Sequence, residues 1–465
     1  MTRPMAASGW RDLAATAELP KFILLCLGVW LHAADSLLVA TVMPKAVAEI
    51  GGVVFINWAA ALYLLGSILA ASLAGFAAKQ LGLRGAMMAA AACYGIGCAI
   101  SALSPSMAVM LLGRVLQGLG GGGLMALVYV AIEAIFPERF WPRLLVIVST
   151  IWGASALCGP LIGGLFAEAG LWRWAFWVFA GQALALVAAA GLLLGRRASA
   201  STHGTGGAAP VPLALLVAGT LGIAAAGATT GSAWSGVLGL LGLAGLGAFA
   251  WSDRRQSRHL LPSGALDLRS PVGNGLLMVL ALAAATTPFG TYGPLLLGLL
   301  FGTSPLTSGY LVAVEAIAWS VAAAATAELP ARREPHLIRC GAGLIALGAL
   351  GYAVAVPTGS ILGIVACLTA QGTGFGIGWA FMVKRIVGGA APAERGAAAA
   401  AVSSMHIIGY AIGAAAAGIV ANAAGLAEGV AAPEAHRAAL WLFAAFVPAG
   451  ALGTVAAFRL TRDQG

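Results

Sequence analysis

The sequence predicts an all-α integral membrane protein with about fourteen transmembrane helices and both termini in the cytoplasm. Of its 465 residues, 60% are hydrophobic and only 9% are charged, whereas a soluble domain carries roughly 25% charged residues. Apolar runs of about 18 residues or more, which are long enough to cross a bilayer, recur along the whole chain. We therefore expect the surface of so apolar a protein to contact lipid rather than water.

The predicted spans are separated by short segments that carry charged residues, glycine or proline. The first contains Asp35 and is about 23 residues long, so we interpret it as a retained helix rather than a secretory signal. In chain order, the spans lie near 22–44, 54–78, 86–103, 107–134, 144–167, 174–194, 211–230, 233–251, 272–298, 306–328, 338–356, 359–382, 397–421 and 438–459.

The positions of the basic residues predict the orientation. With fourteen spans, 21 of the 25 Lys and Arg residues fall on the side of the two termini, and Lys45, Arg173 and Arg437 fall on the opposite side. Arg114 is the one basic residue deep inside a predicted span, since Arg339 and Arg459 fall at span ends on the side of the termini. Because cytoplasmic loops carry an excess of Lys and Arg, this asymmetry places both termini in the cytoplasm. The net charge of +9 therefore reflects orientation and does not indicate a nucleic-acid partner.

An internal repeat predicts two helical bundles. The stretch Q-G-L-G at Gln117–Gly120 in the fourth span recurs as Q-G-T-G at Gln371–Gly374 in the twelfth span. We therefore predict an N-terminal six-helix bundle over 1–196, a linker with two extra transmembrane helices over 197–270, and a C-terminal six-helix bundle over 271–465. Internal repeats of this kind are typical of secondary transporters, whose substrate site lies near the bilayer midplane.

Four motifs follow one another in the first 180 residues. They are D-S-L-L-V-A-T-V-M-P (Asp35–Pro44) in the first span, R-V-L-Q-G (Arg114–Gly118) in the fourth, G-P-L-I-G-G (Gly159–Gly164) in the fifth and W-R-W-A-F-W-V-F (Trp172–Phe179) at the start of the sixth. Together they resemble the 14-helix drug:proton antiporter branch of the major facilitator superfamily. The resemblance implies the major facilitator fold and proton-coupled efflux of amphipathic or hydrophobic small molecules by alternating access. It also gives Gly159, Pro160, Gly163 and Gly164 a structural or gating role as the antiporter motif.

The loop between the second and third spans departs from that family pattern. It reads G-F-A-A-K-Q-L-G-L-R-G (Gly75–Gly85), with Lys79 where the family has an aspartate. The charge cluster that latches the outward-open state of the family therefore cannot form in its usual way. We expect gating to involve Lys79, Arg84 and Glu133, with Lys79 paired to Glu133 or Glu138.

Asp35 and Arg114 are the main candidates for chemistry. A charged side chain at mid-bilayer costs about 2.5–3.5 kcal/mol on insertion scales, so each one calls for a reason. Apolar surroundings favour the neutral form of a carboxylic acid, which would let Asp35 load and release a proton. We expect Arg114 to modulate that protonation or to contact an anionic group. For both residues, a structural ion pair is the alternative.

Glu315 near the middle of the tenth span is a third candidate, with Trp319 four residues further on. No family motif requires an acid at this position. A second protonation site, recognition of a cationic substrate and a structural pair remain open for Glu315.

The resemblance implies that the first and fourth helices of each bundle line a central cavity, which we expect to be aromatic and apolar. For the aromatic residues, the alternative to substrate contact is ordinary packing. For His406, the alternative is an interior histidine whose hydrogen bonds are satisfied within the protein. The expected substrate-contacting residues are His32, Trp58, Tyr63, Gln117, Thr287, Tyr292, Trp319, Gln371, Trp379 and His406.

The sequence lacks a Walker motif, a pair of zinc ligands and a G-x-S-x-G elbow, so we expect neither an enzyme nor a cofactor, but transport driven by the proton gradient. The expected partners are protons, membrane lipids and a small amphipathic or lipid-like substrate, with no nucleic acid. We expect a monomer in a bacterial cytoplasmic (inner) membrane. An exporter of an endogenous lipid or metabolite and a transport-inactive receptor or scaffold are the alternatives.

Overall fold

The computed structural model describes residue 16 and residues 18–137, 140–195, 210–228, 232–256, 261–326, 329–426 and 432–462. Over these residues the regular structure is helical. In chain order, the helices are α1 (Leu19–Ile50), α2 (Ile56–Ala102), α3 (Met107–Ile135), α4 (Trp141–Glu168), α5 (Trp172–Leu193), α6 (Pro210–Ala228), α7 (Ser232–Asp253), α8 (Pro271–Phe301), α9 (Pro305–Thr326), α10 (Glu334–Ala355), α11 (Ile361–Gly389), α12 (Arg395–Ala423), α13 (Ala432–Ala444) and α14 (Val447–Leu460).

These helices confirm the all-α, multi-pass prediction. Within the described ranges, 13 helical stretches are long and apolar enough to cross a membrane, and Val211–Ile223 is a shorter apolar helix. Large apolar side chains face outward, among them Leu192 at 85% and Leu362 at 81% exposure. Water would penalise such a surface, whereas lipid tails match it. The orientation of the termini stays a prediction.

The helical backbone is interrupted at two places that the predicted spans do not show in detail. α2 carries both the second and the third predicted span, and its helical geometry is interrupted at Gly82, with φ 69° and ψ 162°. Only glycine adopts this backbone conformation without strain, so the turn falls within the predicted loop. The fourteenth predicted span is divided between α13 and α14, because Pro448 at the start of α14 has no N–H to continue the preceding helix.

The chain divides into two compact units. The first consists of Met1–Leu38, Leu62–Gly159 and Leu171–Gly207, and the second of Val39–Ala61, Pro160–Gly170 and Ala208–Gly465. The predicted bundle boundaries at 196 and 271 stay a prediction.

In the first unit, glycines let α3 approach α2 closely on two sides. A Cβ atom at Gly118 would overlap the backbone carbonyl of Tyr63, and one at Gly122 would overlap the backbone of Ser67. On the other side, a Cβ at Gly120 would overlap the backbone of Tyr94. The glycine-rich stretch of α3 is therefore a close-packing surface between helices.

The second unit repeats this arrangement. A Cβ at Gly372 of α11 would overlap the carbonyl of Glu315, and one at Gly376 would overlap the carbonyl of Trp319. Gly372 and Gly376 in α11 thus correspond to Gly118 and Gly122 in α3. By the same correspondence, Glu315 occupies the place that Tyr63 holds in the first unit.

Candidate functional site

A fully buried ion pair lies within the first unit. Arg114 Nη1 of α3 donates to Asp35 Oδ2 of α1 at 2.9 Å, and both side chains are 0% exposed. Breaking such a pair by removing one partner typically costs 3–5 kcal/mol, because the other charge stays buried. The structure thus joins the two residues that the sequence singles out separately.

Two further side chains hold the guanidinium in place. The same Nη1 donates to Gln117 Oε1 at 2.8 Å, one helical turn along α3. The guanidinium carbon of Arg114 lies 4.3 Å from the ring centroid of Tyr63, which is within range of a cation–π interaction. Arg114 therefore keeps two contacts that do not depend on the charge of Asp35.

The hydroxyl of Tyr63 fixes the ring of His32. Tyr63 Oη lies 2.9 Å from the backbone carbonyl oxygen of His32 and 2.8 Å from its Nδ1. A carbonyl can only accept, so the phenol gives its one hydrogen to the carbonyl and accepts from Nδ1–H. This assignment places a hydrogen on Nδ1 of His32. Trp152 meets the same imidazole edge-on, with ring centroids 5.7 Å apart.

The third span supplies partners that the sequence does not reveal. Gln117 Nε2 donates to Cys98 Sγ at 3.1 Å, and Ser101 Oγ donates to Gln117 Oε1 at 3.4 Å. Tyr94 Oη donates to the backbone carbonyl of Leu31 at 3.2 Å. Cys, Ser and Tyr are common in apolar helices, and the repeated small residues around them are the one signal that could have marked this helix face.

The second unit has no counterpart of this ion pair at the corresponding positions. Leu368 lies four residues before Gly372, where Arg114 lies four residues before Gly118. A second pair of glycine contacts locates the position that corresponds to Asp35. A Cβ at Gly159 would lie 2.6 Å from the Ala34 carbonyl, and one at Gly413 would lie 2.8 Å from the Ala284 carbonyl. The residue after Ala34 is Asp35, whereas the residue after Ala284 is alanine. The second unit instead has an acid in the middle of α9, Glu315.

A group of rings in mutual contact, which we call the aromatic cluster, lies in the second unit. The ring centroids of Trp319 and Phe375 are 4.9 Å apart. The His406 ring lies 4.8 Å from Trp379 and 4.7 Å from Tyr410. The sequence predicts three members and misses Phe375 and Tyr410. The cluster consists of Trp319, Phe375, Trp379, His406 and Tyr410.

The remaining cavity candidates of the second unit have mixed surroundings. Gln371 is buried, and its Oε1 accepts from Tyr352 Oη at 3.3 Å. Thr287 Oγ1 donates to the Ala283 carbonyl at 2.8 Å, so its hydroxyl is satisfied by its own helix. Tyr292 is 1% exposed, and its hydroxyl has no hydrogen-bond partner among the described residues.

Trp58 is placed apart from Tyr63, although both belong to the same predicted span. Trp58 belongs to the second unit and packs against a small apolar cluster that includes Ala61, Ile223 and Ala415. Tyr63 belongs to the first unit and contacts Arg114. The structure therefore groups Tyr63 with the ion pair and Trp58 with the extra helix α6.

The predicted gating residues divide into exposed and tightly packed positions. Lys79 is exposed and Arg84 is half-buried. The side chain of Glu133 and the whole of Glu138 lie outside the described residues, so their pairing with Lys79 stays a prediction.

The antiporter motif is tightly packed. Gly159 contacts the backbone of Ala34, and Gly163 is buried. In the second unit, a Cβ at Gly309 would lie 2.6 Å from the Pro160 carbonyl, and one at Gly164 would lie 2.9 Å from the Pro305 carbonyl. The motif thus provides close backbone contacts.

Sequence comparison identifies the relatives of the chain. Residues 25–384 match the profile of the Major Facilitator Superfamily. The chain is 33% identical over 481 aligned residues to the probable multidrug-efflux transporter Rv1634 of Mycobacterium tuberculosis (strain ATCC 25618 / H37Rv), with 100% of this chain and 99% of the relative covered. It is 27% identical over 328 residues to the uncharacterized MFS-type transporter Rv1877 of the same strain, covering 70% of this chain and 47% of that protein.

Solved transporter structures share the fold. A D-xylose-proton symporter superposes with a TM-score of 0.66 at 14% identity, covering 96% of this chain and 97% of the other. A POT family transporter in complex with 5-aminolevulinic acid gives a TM-score of 0.67 at 14% identity, covering 98% and 99%. At this identity the likeness establishes the architecture alone.

Proposed function

The chain belongs to the Major Facilitator Superfamily and is a multi-pass membrane transporter rather than an enzyme, and from this premise we propose that it is a proton-coupled efflux antiporter for amphipathic and hydrophobic small molecules. The observation that carries the proposal is the fully buried contact between Asp35 and Arg114. The name of its full-length mycobacterial relative supports the export of drug-like compounds, and the organism of that relative supports a bacterial inner membrane.

Protonation of Asp35 would change the balance of forces at this pair. With Asp35 ionised, its carboxylate and the guanidinium of Arg114 neutralise each other across α1 and α3. With Asp35 neutral, the ionic attraction is lost, while Gln117 and the ring of Tyr63 still hold Arg114. α1 and α3 are then linked more weakly. A proton thus biases the equilibrium between two conformations, which is what alternating access requires.

Two components of the proton gradient would supply energy to such a cycle. The electrical potential supplies about 2.3 kcal/mol per charge per 100 mV. A gradient of one pH unit adds about 1.4 kcal/mol per proton. No cofactor is needed in this scheme.

Proteoliposomes with an internal pH dye test the proposal. The lumen is made about two pH units more acidic than the medium, which gives about 2.7 kcal/mol per proton, and the uncharged amphipathic dye N-phenyl-1-naphthylamine is added outside. We expect the dye to accumulate in the lumen and to accelerate the rise of lumenal pH, and a protonophore to abolish both effects. Dye movement in the same direction as the protons would indicate symport and would overturn the proposal. Transport of lipids or metabolites without dye would favour the alternative exporter, and the absence of any substrate-dependent proton flux would favour a receptor or scaffold.

A pair of substitutions at Tyr63 tests whether its ring positions Arg114. Tyr63→Phe keeps the ring 4.3 Å from the guanidinium, and we expect proton-driven dye uptake within about threefold of wild type. Tyr63→Leu removes a cation–π contact of about 1–2 kcal/mol, and we expect uptake to fall about tenfold. Equal rates for the two variants would show that the ring does not position Arg114.

A further inference from the structure

Helix α7, the second of the two extra helices, faces outward along most of its length. Only 17% of its membrane-spanning stretch is buried inside the protein. Trp234 near its start and Trp251 near its end are both exposed, at 69% and 59%. At 1.5 Å per residue, the two tryptophans lie about 25 Å apart along the helix, close to the thickness of about 30 Å of a bilayer's hydrocarbon core. Because tryptophan prefers the two membrane interfaces, Trp251 marks the level of the lipid headgroups.

Two exposed arginines, Arg254 and Arg255, follow this tryptophan. The guanidinium carbon of Arg255 lies 3.7 Å from the ring centroid of Trp251. Within the described residues, neither arginine has a carboxylate in salt-bridge distance. Asp253, which directly precedes them, is 1% exposed, and its Oδ2 accepts from the backbone N–H of Leu261 at 2.9 Å. The neighbouring acid is therefore buried, whereas the positive charge of the two arginines lies at the surface.

The guanidinium of Arg255 is well placed to bind a phosphate group. Its planar set of N–H donors matches two phosphate oxygens at once. The ring of Trp251 covers one face of the guanidinium and leaves its N–H edges free to donate, and the contact restricts the side chain before a ligand binds. The exposed leucines of α7, Leu240, Leu241 and Leu243, offer an apolar surface to hydrocarbon chains. The end of α7 thus suits a ligand that joins a phosphate to hydrocarbon chains.

We propose that Trp251, Arg254 and Arg255 form a binding site for the headgroup of an anionic phospholipid such as phosphatidylglycerol, whose acyl chains lie along α7. This inference goes beyond the proposed transport function and does not depend on it. Basic side chains at the membrane surface attract anionic headgroups, and the ring adds a fixed orientation for one guanidinium. A zwitterionic phospholipid brings no net charge to the site, and a free phosphate brings no chains for α7 to contact.

Phospholipids with equal acyl chains and different headgroups test the site. Phosphatidylglycerol or phosphatidylcholine is titrated into the purified full-length protein in detergent, and the bound lipid molecules are counted by native mass spectrometry. We expect wild type to bind the first phosphatidylglycerol at least about tenfold more tightly than phosphatidylcholine. Excess glycerol 3-phosphate, which carries the phosphate without the chains, is expected to leave the bound lipid in place. Equal affinity for the two lipids, or displacement by glycerol 3-phosphate, would overturn the proposal.

A double variant assigns this preference to the two arginines. Arg254→Gln combined with Arg255→Gln removes both charges from an exposed position, so we expect the protein to fold. The affinity for phosphatidylglycerol should fall about tenfold, and the affinity for phosphatidylcholine should stay within about twofold of wild type. A double variant that keeps the wild-type preference for phosphatidylglycerol would refute the site.

Arg332→Gln combined with Arg333→Gln is the matched control in the same unit. These arginines are also exposed and follow α9, and they lie on the same side of the membrane as the end of α7 because α8 and α9 cross it once each. The acid beside them is engaged elsewhere as well, since Lys384 donates to Glu334 at 2.6 Å. Within the described residues, neither arginine stacks on an aromatic ring. We expect phosphatidylglycerol affinity within about threefold of wild type. Equal losses in the two double variants would show a general effect of positive charge and would overturn the site.

Two tryptophan variants test the contribution of the ring. Trp251→Leu removes the surface on which Arg255 stacks, and we expect the affinity for phosphatidylglycerol to fall about threefold. Trp234→Leu removes the exposed tryptophan at the other end of the same helix and is expected to bind phosphatidylglycerol like wild type. Equal affinities for the two variants would contradict the assignment of Trp251 to the site.

Discussion

Asp35→Asn is expected to lower proton-driven dye uptake at least about 100-fold, because an amide can neither load nor release a proton in the working pH range. The amide oxygen can still accept from Arg114 Nη1, which donates at 2.9 Å in the native pair, so we expect the variant to fold. The measurement is the rate of lumenal alkalinisation with and without dye.

Two controls accompany this variant. Asp35→Glu retains a titratable group and is expected to keep measurable coupled transport at a reduced rate. Asp267→Asn removes an exposed acid and is expected to behave like wild type. If Asp35→Asn moves dye and protons as fast as wild type, Asp35 is not the coupling residue.

Gly118→Ala is expected to have the largest effect on stability. The added methyl group would overlap the backbone carbonyl of Tyr63, and a backbone segment within a packed helix pair cannot move aside cheaply. We expect a loss of about 3 kcal/mol or more, seen as an apparent melting temperature about 5–10 °C lower in a fluorescence-detected thermal scan.

Gly181→Ala is the matched control in the same unit. Gly181 lies in α5 and is exposed, and no atom outside its own stretch of helix lies within 4 Å of the position that an added methyl group would occupy. Replacing a helical glycine by alanine at an open position removes a helix-propensity penalty of about 0.5–1 kcal/mol, so the melting temperature should stay level or rise slightly. Equal melting temperatures for Gly118→Ala and wild type would contradict the close packing of α3 on α2.

Most of the fold could be predicted because the bilayer strongly constrains the length and composition of each helix. Every membrane-spanning helix must be long and apolar, so the spans are visible in composition alone. The glycine stretches at 117–123 and 371–378 likewise predict close packing, since few other roles suit glycine in an apolar helix. The division of the last span into α13 and α14 was not predicted, since it depends on one proline in an otherwise apolar run.

The candidate site was predictable in part. Asp35 and Arg114 stand out because a charge within a span is costly, and Gln117 follows from its helical spacing with Arg114. Their contact with each other could not be derived, because it depends on how α1 and α3 pack. Tyr94 and Cys98 carry no signal that separates them from ordinary packing residues. The sequence therefore identifies the charged groups that are costly to bury, whereas the residues that contact them can be identified only from the structure.

The unequal contents of the two repeats have a consequence for how such proteins diversify. One copy holds an acid–base pair at a position where the other has Ala285 and Leu368, and the other copy holds Glu315 where the first has Tyr63. The two repeats therefore carry different charged groups at corresponding positions. Under the proposed function, proton coupling lies in the first repeat, so substitutions in the second repeat are expected to alter the range of exported compounds without abolishing coupling. Paralogues and resistance variants with new substrate ranges are then expected to differ mainly in the second copy.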